Sequence, residues 1–146
     1  MSHSARYKRG LKKFLEIYGP ERTESFLASL EQIAPDLGAY AMEFAFGDIH
    51  CRPGLSLRSR EIATVAALTA LGTAGPQLRA HIDGALNVGC TEQEIVEVIL
   101  QMALYAGFPA AINGMQAARE VLLERANRKR ARQTRRRSGG SRSRLS

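Results

Sequence analysis

The chain has 146 residues, of which 45% are hydrophobic, a size and composition typical of one domain with a packed core. Its longest apolar stretch, Ile95 to Phe108, is interrupted by Glu97 and Gln101, so it is too short and too polar to span a membrane. The first residues contain no apolar signal-peptide core, and we therefore expect a cytoplasmic protein.

The charge is distributed unevenly along the chain. Residues 1–124 hold 11 basic and 14 acidic side chains, a net charge of −3, whereas ten further Lys and Arg residues follow Glu124. The formal net charge of +7 therefore comes from the C-terminal segment. We expect residues 1–124 to form the folded domain and residues 125–146, rich in Arg, Ser and Gly, to be a disordered tail.

The first half of the chain reads as helices followed by a loop, because apolar residues recur at helical spacing and no segment alternates like a strand. One helix is predicted from Tyr7 to Tyr18, ending at Gly19-Pro20, with Thr23 capping a second helix. A third helix is expected from Asp36 to Phe46. The segment Gly47 to Leu55 contains Gly, Asp and Pro and is predicted to be a loop.

Each helix of the second half has a recognisable start. The expected signals are a cap at Ser56, Pro76 in a first turn, a capping box formed by Thr91 and Glu94, and Pro109. The helix after Ser56 is apolar on nearly every side in its later part, so we expect it to be buried all round or to lie at a subunit interface. The sequence thus favours an all-α domain that forms a symmetric homo-oligomer through apolar helices.

His81 is the first candidate for a functional residue. It lies on the same helical stripe as Leu78 and Ala85, so it faces or borders the core, while Arg79 and Asp83 are expected to pair on the outer face. An inward histidine is either a hydrogen-bonded core residue or a group that moves protons away from bulk water. Glu61 is either a charge that complements a helix start or a carboxylate that orients His81.

The loop residues His50, Cys51 and Arg52 are candidates for a pocket, although an ordinary surface loop is an equal alternative. Arg52 could hold a substrate carboxylate with its planar pair of donors. A metal site made of His50, Cys51 and His81 has the right ligand types, but the spacing matches no zinc pattern, so no metal is expected. Cys51 and Cys90 are expected to be free thiols.

Several short motifs, in this order and spacing, resemble the carboxymuconolactone decarboxylase family. The resemblance covers roughly Tyr7 to Val121, and its motifs are specific only in combination. They are Phe46-Gly47-Asp48-Ile49, Arg52-Pro53-Gly54-Leu55, an Arg-Glu pair at a helix start, His81-Ile82-Asp83-Gly84-Ala85-Leu86-Asn87-Val88-Gly89, and Tyr105-Ala106-Gly107-Phe108-Pro109-Ala110-Ala111.

The resemblance implies a small all-α fold of the alkyl hydroperoxidase D-like type, assembled as trimers or hexamers. It implies a cofactor-independent conversion of 4-carboxymuconolactone to 3-oxoadipate enol-lactone and carbon dioxide, in aromatic catabolism through the β-ketoadipate pathway. The partner would be a small anionic lactone or keto acid. The implied catalytic residues are His81, Glu61 and His50, and the implied substrate-binding residues are Arg52, Cys51, Tyr105 and Asn113.

Departures from the family pattern keep the substrate open. Family decarboxylases tend to carry Trp-Thr or similar where this chain has His50-Cys51, and they often lack an acid at Glu61. A decarboxylation or isomerisation of another small acid is therefore a credible alternative. Related peroxidases need a C-x-x-C pair ahead of the histidine, and here that stretch reads Ala74-Gly75-Pro76-Gln77, so the thiol cycle is disfavoured.

Two non-enzymatic alternatives remain. The first is a catalytically idle oligomer that binds small acids, which would tolerate replacement of His81. The second is a nucleic-acid binder that uses the arginines from Arg128 to Arg137, since such a segment attracts phosphates without reading sequence. The acidic body and the absence of aromatic residues in the tail argue for non-specific tail contacts at most.

Overall fold

The computed structural model describes residues 3–141, with side chains described as far as residue 135. Within this range the chain is helical and contains no strand, which confirms the predicted all-α class. The elements are α1 (Ala5–Glu31), α2 (Pro35–Tyr40), a π-helical segment (Ala41–Ile49), α3 (Leu57–Leu71), α4 (Gly75–Asn87), α5 (Glu92–Ala106) and α6 (Phe108–Ser141).

Helix α1 is broken in its middle, as the Gly-Pro pair predicts. Gly19 adopts φ 77° and ψ 171°, outside the helical region, and Pro20 begins a second helical segment within α1. The prediction that Thr23 caps this segment is wrong. Its hydroxyl lies one turn further on and donates to the carbonyl of Gly19 at 2.6 Å.

The third predicted helix continues further than the sequence suggests. After Tyr40 the backbone widens into the π-helical segment and ends only at Ile49, so the irregular segment begins at His50 rather than at Gly47. Gly47 lies within the π-helical segment, where the segment crosses α1 with the two backbones in close contact. A Cβ at residue 47 would lie 2.7 Å from the carbonyl oxygen of Arg6. Residues around the π turn are therefore held against α1, which positions His50.

The starts of α3, α4 and α5 agree with the sequence signals. The Ser56 hydroxyl accepts from the Ser59 amide at 3.1 Å, and Pro76 lies in the first turn of α4. The Thr91 hydroxyl accepts from the Glu94 amide at 3.1 Å, while the Glu94 carboxylate accepts from the Thr91 amide at 2.8 Å. The predicted capping box is confirmed.

Two clusters of apolar side chains form the core. One joins α3, α4, α5 and α6 around fully buried residues such as Val65, Ile82 and Ile99. The other joins α1 to the π-helical segment around Phe14, Ile17 and other buried residues. Helix α4 contacts both α1 and α3, so the two clusters meet along it.

The predicted outer-face pair between Arg79 and Asp83 is wrong. Asp83 is only 2% exposed, and its carboxylate receives Arg22 of α1 at 3.0 Å. Arg79 instead reaches the acidic side chains Glu120 and Glu124 of α6, at 2.9 and 3.2 Å. The reason is that α4 is covered on two sides, by α1 and by α6, so the face that spacing alone marks as outer is not solvated.

Helix α6 does not end near Glu124 but continues to Ser141. Arg125 and Arg128 lie 2.6 and 3.1 Å from Asp83 Oδ1, so the beginning of the basic segment contacts the folded body. The buried carboxylate of Asp83 thus connects the first residues after Glu124 to α4. Residues 142–146 lie outside the described residues, and the domain boundary at Arg125 stays a prediction.

Large apolar side chains are exposed at the C-terminal ends of α3 and α5 and at the start of α6. We call these residues the apolar end surface, which comprises Leu71, Leu104, Tyr105, Phe108 and Ile112 with exposures of 54–82%. In the described part of the chain, no helix combines the length and apolarity needed to cross a membrane.

Candidate functional site

A buried carboxylate meets a histidine between α3 and α4. Glu61 is 0% exposed, and its Oε2 accepts a hydrogen bond from His81 Nδ1 at 2.8 Å. A carboxylate can only accept, so the neutral imidazole carries its hydrogen on Nδ1 and presents Nε2 as the free nitrogen. Two positions were possible for Glu61, one at an exposed helix start and one beside His81. The structure places it beside His81, because the first turns of α3 face α4 rather than solvent.

His50 approaches the other oxygen of the same carboxylate. Its Nδ1 donates to the Ala45 carbonyl at 2.9 Å, and its ring stacks on Phe46 with centroids 4.7 Å apart. Its Nε2 lies 3.8 Å from Glu61 Oε1, too far for a hydrogen bond, and both of these atoms are buried without a partner among the described residues. Glu61 thus lies between two histidines and bonds directly to one of them.

Burial lowers the pKa of the His50 imidazole below its ordinary value. The hydrogen bond to the Ala45 carbonyl and the charge of Glu61 act in the opposite direction, and desolvation outweighs them. His50 is therefore neutral at pH 7, with its hydrogen on Nδ1. Its Nε2 lone pair faces the carboxylate, which leaves this pair of atoms open to a donor placed between them.

Tyr18 is a member of the site that the sequence analysis missed. Its hydroxyl lies 3.0 Å from His81 Nδ1 and 3.5 Å from Nε2, although 63 residues separate the two along the chain. The side chain is 7% exposed, and burial followed by the charge of Glu61 raises the pKa of its phenol well above the ordinary range. The only local signal was an aromatic residue at the end of a predicted helix, which usually marks a core position.

The two loop residues that follow His50 are only partly buried or exposed within one chain. Cys51 is half-buried and Arg52 is exposed, while the backbone carbonyl of Arg52 accepts from Arg60 Nη2 at 3.0 Å. The Arg60 contact ties the loop to the start of α3 beside Glu61. Both cysteines are free, as expected, and burial raises the pKa of the Cys90 thiol.

Tyr105 and Asn113 are not brought to His81 within one chain. Tyr105 is 77% exposed on the apolar end surface, and Asn113 is exposed at the rim of a small cavity between α3 and α6. A second cavity, of about 200 Å³, is lined by Arg22, Arg79, Ala80 and Glu124 among others, and it does not include His81. No group of three or more His, Cys, Asp and Glu side chains in the described range is arranged to hold a metal ion.

The sequence signature of the Carboxymuconolactone decarboxylase family matches residues 35–120. This range runs from α2 into α6 and includes His50, Glu61 and His81. The chain belongs to the carboxymuconolactone decarboxylase family, as its motifs predict.

The similar curated proteins include two named enzymes. A 4-carboxymuconolactone decarboxylase of Acinetobacter baylyi is 37% identical over 121 residues, which are 83% of this chain and 90% of that protein. A nitrosuccinic acid decarboxylase of Metarhizium robertsii is 29% identical over 82% of this chain and 83% of its own length. An uncharacterised 15.0 kDa protein of Paracoccus denitrificans is 33% identical over 73% of this chain and 81% of its own length. The predicted enzyme class, a carboxy-lyase, is confirmed by the two named decarboxylases.

Proposed function

We propose that this protein is a cofactor-independent decarboxylase that acts on a carboxylated lactone such as 4-carboxymuconolactone, giving 3-oxoadipate enol-lactone and carbon dioxide. The observation that carries the proposal is the hydrogen bond between the buried Glu61 carboxylate and His81 Nδ1. It leaves Nε2 of an oriented imidazole to handle a proton in a partly desolvated position, which is what this reaction requires. The cytoplasm and the aromatic catabolic pathway are part of the same proposal.

The reaction needs a sink for electrons and a source of one proton. The bond between the ring carbon and the carboxylate breaks, and its electron pair moves through the unsaturated ring to the carbonyl oxygen of the lactone as carbon dioxide leaves. His81 takes up a proton from solvent at Nε2, and the imidazolium delivers that proton to the dienolate at the ring carbon next to the lactone carbonyl. The Glu61 charge stabilises the imidazolium that precedes this transfer, in the way an acidic partner supports a catalytic histidine.

His50 and the substrate-binding residues have supporting roles in the proposal. His50 shields the second oxygen of Glu61 and forms part of the pocket wall through its stack on Phe46. Arg52 holds the carboxylate that stays on the substrate, since its guanidinium is exposed and offers two parallel donors. Cys51 lies between His50 and Arg52 in the chain and helps to shape the pocket around the substrate.

The proposed assembly is a homo-oligomer, a trimer or hexamer, which covers the apolar end surface. Exposed apolar area of this kind on a small domain marks a contact surface. Because Tyr105 and Asn113 lie on or beside it, we propose that they reach the substrate site of a neighbouring subunit. Light scattering should give a mass of at least three chains, and Leu104→Glu, which places a charge on the 82% exposed position, should release smaller species.

A decarboxylase for a different small acid is the second candidate. It is favoured by the nitrosuccinic acid decarboxylase among the relatives and by His50-Cys51 in place of the Trp-Thr that the resemblance leads one to expect. The loop that carries these residues ends the π-helical segment beside Glu61, so a change there alters the wall of the site. Panels of lactones and β-keto acids distinguish the two candidates.

The first experiment combines purified protein with 4-carboxymuconolactone generated in situ, and follows ultraviolet loss together with carbon dioxide release. We expect turnover that falls about 10²–10⁴-fold in His81→Ala, the usual contribution of a positioned acid or base. His3→Ala is the matched control, because His3 is exposed ahead of α1, stacks on Tyr7 and should leave turnover unchanged. Turnover that survives in His81→Ala contradicts the proposed role, and no turnover by folded protein on any carboxylated lactone contradicts the proposed activity.

A further inference from the structure

We infer that Tyr18 is a positioning residue that fixes the ring orientation of His81. The inference rests on the proposed function for its catalytic meaning, since a fixed Nε2 matters only if that atom handles a proton. It concerns a contact between α1, which lies outside the family match at residues 35–120, and the histidine of α4.

The contact is built from a packed side chain rather than from a surface residue. The ring of Tyr18 lies against Phe14 at 4.5 Å and edge-on to Phe46 at 6.0 Å between centroids. It meets the imidazole edge-on as well, with an interplanar angle of 84°. Because these neighbours restrict the ring, the phenol oxygen is held at one place beside His81.

Gly84 allows this approach. It lies one turn after His81 on α4, and a Cβ there would come within 2.7 Å of Cε1 of Tyr18 and 2.9 Å of Cγ2 of Ile17. The missing side chain lets the tyrosine ring lie directly on the α4 backbone, and that depth brings the hydroxyl to His81 Nδ1 at 3.0 Å.

Two oxygens from different helices therefore contact one imidazole. Glu61 Oε2, at 2.8 Å, accepts the Nδ1 hydrogen, while the Tyr18 oxygen lies beside the ring, 3.0 Å from Nδ1 and 3.5 Å from Nε2. A single hydrogen bond lets the ring rock about that bond, whereas a second contact from another helix holds the ring plane. Nε2 then keeps one direction, with the hydrogen on Nδ1.

The phenol can hold this position without adding charge. Burial and the neighbouring Glu61 carboxylate raise the pKa of the Tyr18 phenol, so the hydroxyl is neutral at the pH of catalysis. A neutral oxygen thus orients the imidazole while Glu61 remains the only negative charge bonded to it.

The test is Tyr18→Phe in the full chain, which keeps the ring packing and removes only the oxygen. Tyr7→Phe is the matched control, because Tyr7 is also a buried tyrosine of α1 and stacks on His3 instead. Proton–nitrogen-15 NMR of labelled histidine at pH 8 detects each imidazole N–H whose exchange with water is slowed by a steadily held hydrogen bond. Resonances are assigned with single substitutions of His3 and His50.

We expect a sharp Nδ1–H signal for His81 in the parent protein and in Tyr7→Phe, and a signal broadened or lost through exchange with water in Tyr18→Phe, where the ring is free to rock. With an active lactone substrate, kcat of Tyr18→Phe should fall about tenfold while KM stays within about twofold, since a neutral hydrogen bond is worth roughly this factor. An equally sharp His81 Nδ1–H signal in folded Tyr18→Phe overturns the inference, whatever the turnover. If no substrate is turned over, the proposed function fails, and the NMR result still decides the role of Tyr18.

Discussion

Glu61 Oε2 lies 2.8 Å from His81 Nδ1 and joins α3 to α4 across 20 residues of sequence. The carboxylate is fully buried, and His50 Nε2 lies 3.8 Å from its second oxygen. A buried charge in a domain of this size is costly unless it is compensated. The hydrogen bond to His81 offsets part of this cost, and the proposed role of Glu61 is to stabilise the imidazolium.

Replacing Glu61 by Gln keeps the shape of the side chain and removes its charge. We expect kcat on the active substrate to fall about 10²-fold with KM changed little, because the imidazolium loses its stabilising partner while substrate contacts stay. Steady-state kinetics are the measurement. Glu97→Gln is the control, since Glu97 is exposed on α5 and accepts a hydrogen bond from Gln93 one turn earlier. A Glu61→Gln enzyme with the parent kcat contradicts the role.

His50 should make the protein less stable in mild acid. Burial lowers its pKa in the folded state below the ordinary value of 6.5. As the pH falls below about 6.5, the unfolded chain binds a proton there that the folded chain does not, so the free energy of unfolding decreases until the folded pKa is passed. Urea unfolding between pH 8 and pH 5 should show a shallower decrease for His50→Gln.

His3→Gln serves as the control for this pH dependence. His3 is exposed near the N-terminus, so the variant should follow the parent curve. If His50→Gln and the parent lose the same free energy of unfolding over this pH range, the lowered pKa of His50 is not what governs the acid side of the stability curve.

Arg52→Gln tests whether the exposed guanidinium binds the substrate carboxylate. Loss of a charge-assisted pair costs roughly 1.5–3 kcal/mol, so we expect KM to rise about 10–100-fold while kcat stays within about threefold. Arg119→Gln removes an exposed cation of α6 and should change neither constant. Equal constants for Arg52→Gln and the parent assign carboxylate binding to another residue.

Asp83→Asn should destabilise the fold far more than a surface charge would. The Asp83 side chain is 3% exposed and receives Arg22, Arg125 and Arg128, so its neutral replacement leaves three cations without their buried partner. We expect a loss of about 3–5 kcal/mol in the free energy of unfolding, measured by urea denaturation. Glu120→Gln breaks an exposed pair with Arg79 and should cost less than about 1 kcal/mol. A similar loss in the free energy of unfolding for both variants contradicts the stabilising role of the buried Asp83 carboxylate.

The local signals of the sequence were reliable where a few neighbouring residues decide the outcome. The cap at Ser56 and the capping box of Thr91 and Glu94 form as predicted, because each satisfies backbone donors within one turn. The break at Gly19-Pro20 forms as well. The end of the third helix was misplaced, since it depends on how closely the π-helical segment crosses α1 at Gly47.

By itself, the sequence determined the all-helical class, the family and the identity of Glu61 and His81 as candidates, because helix periodicity and short motifs are written in adjacent residues. Only the tertiary structure decided that these two meet, that Tyr18 joins them from α1, and that Asp83 turns inward to three arginines. It also placed Tyr105 and Asn113 on the surface of the single chain. Contacts between distant segments depend on which helix faces pack together, and periodicity gives the face of a helix but not its neighbour.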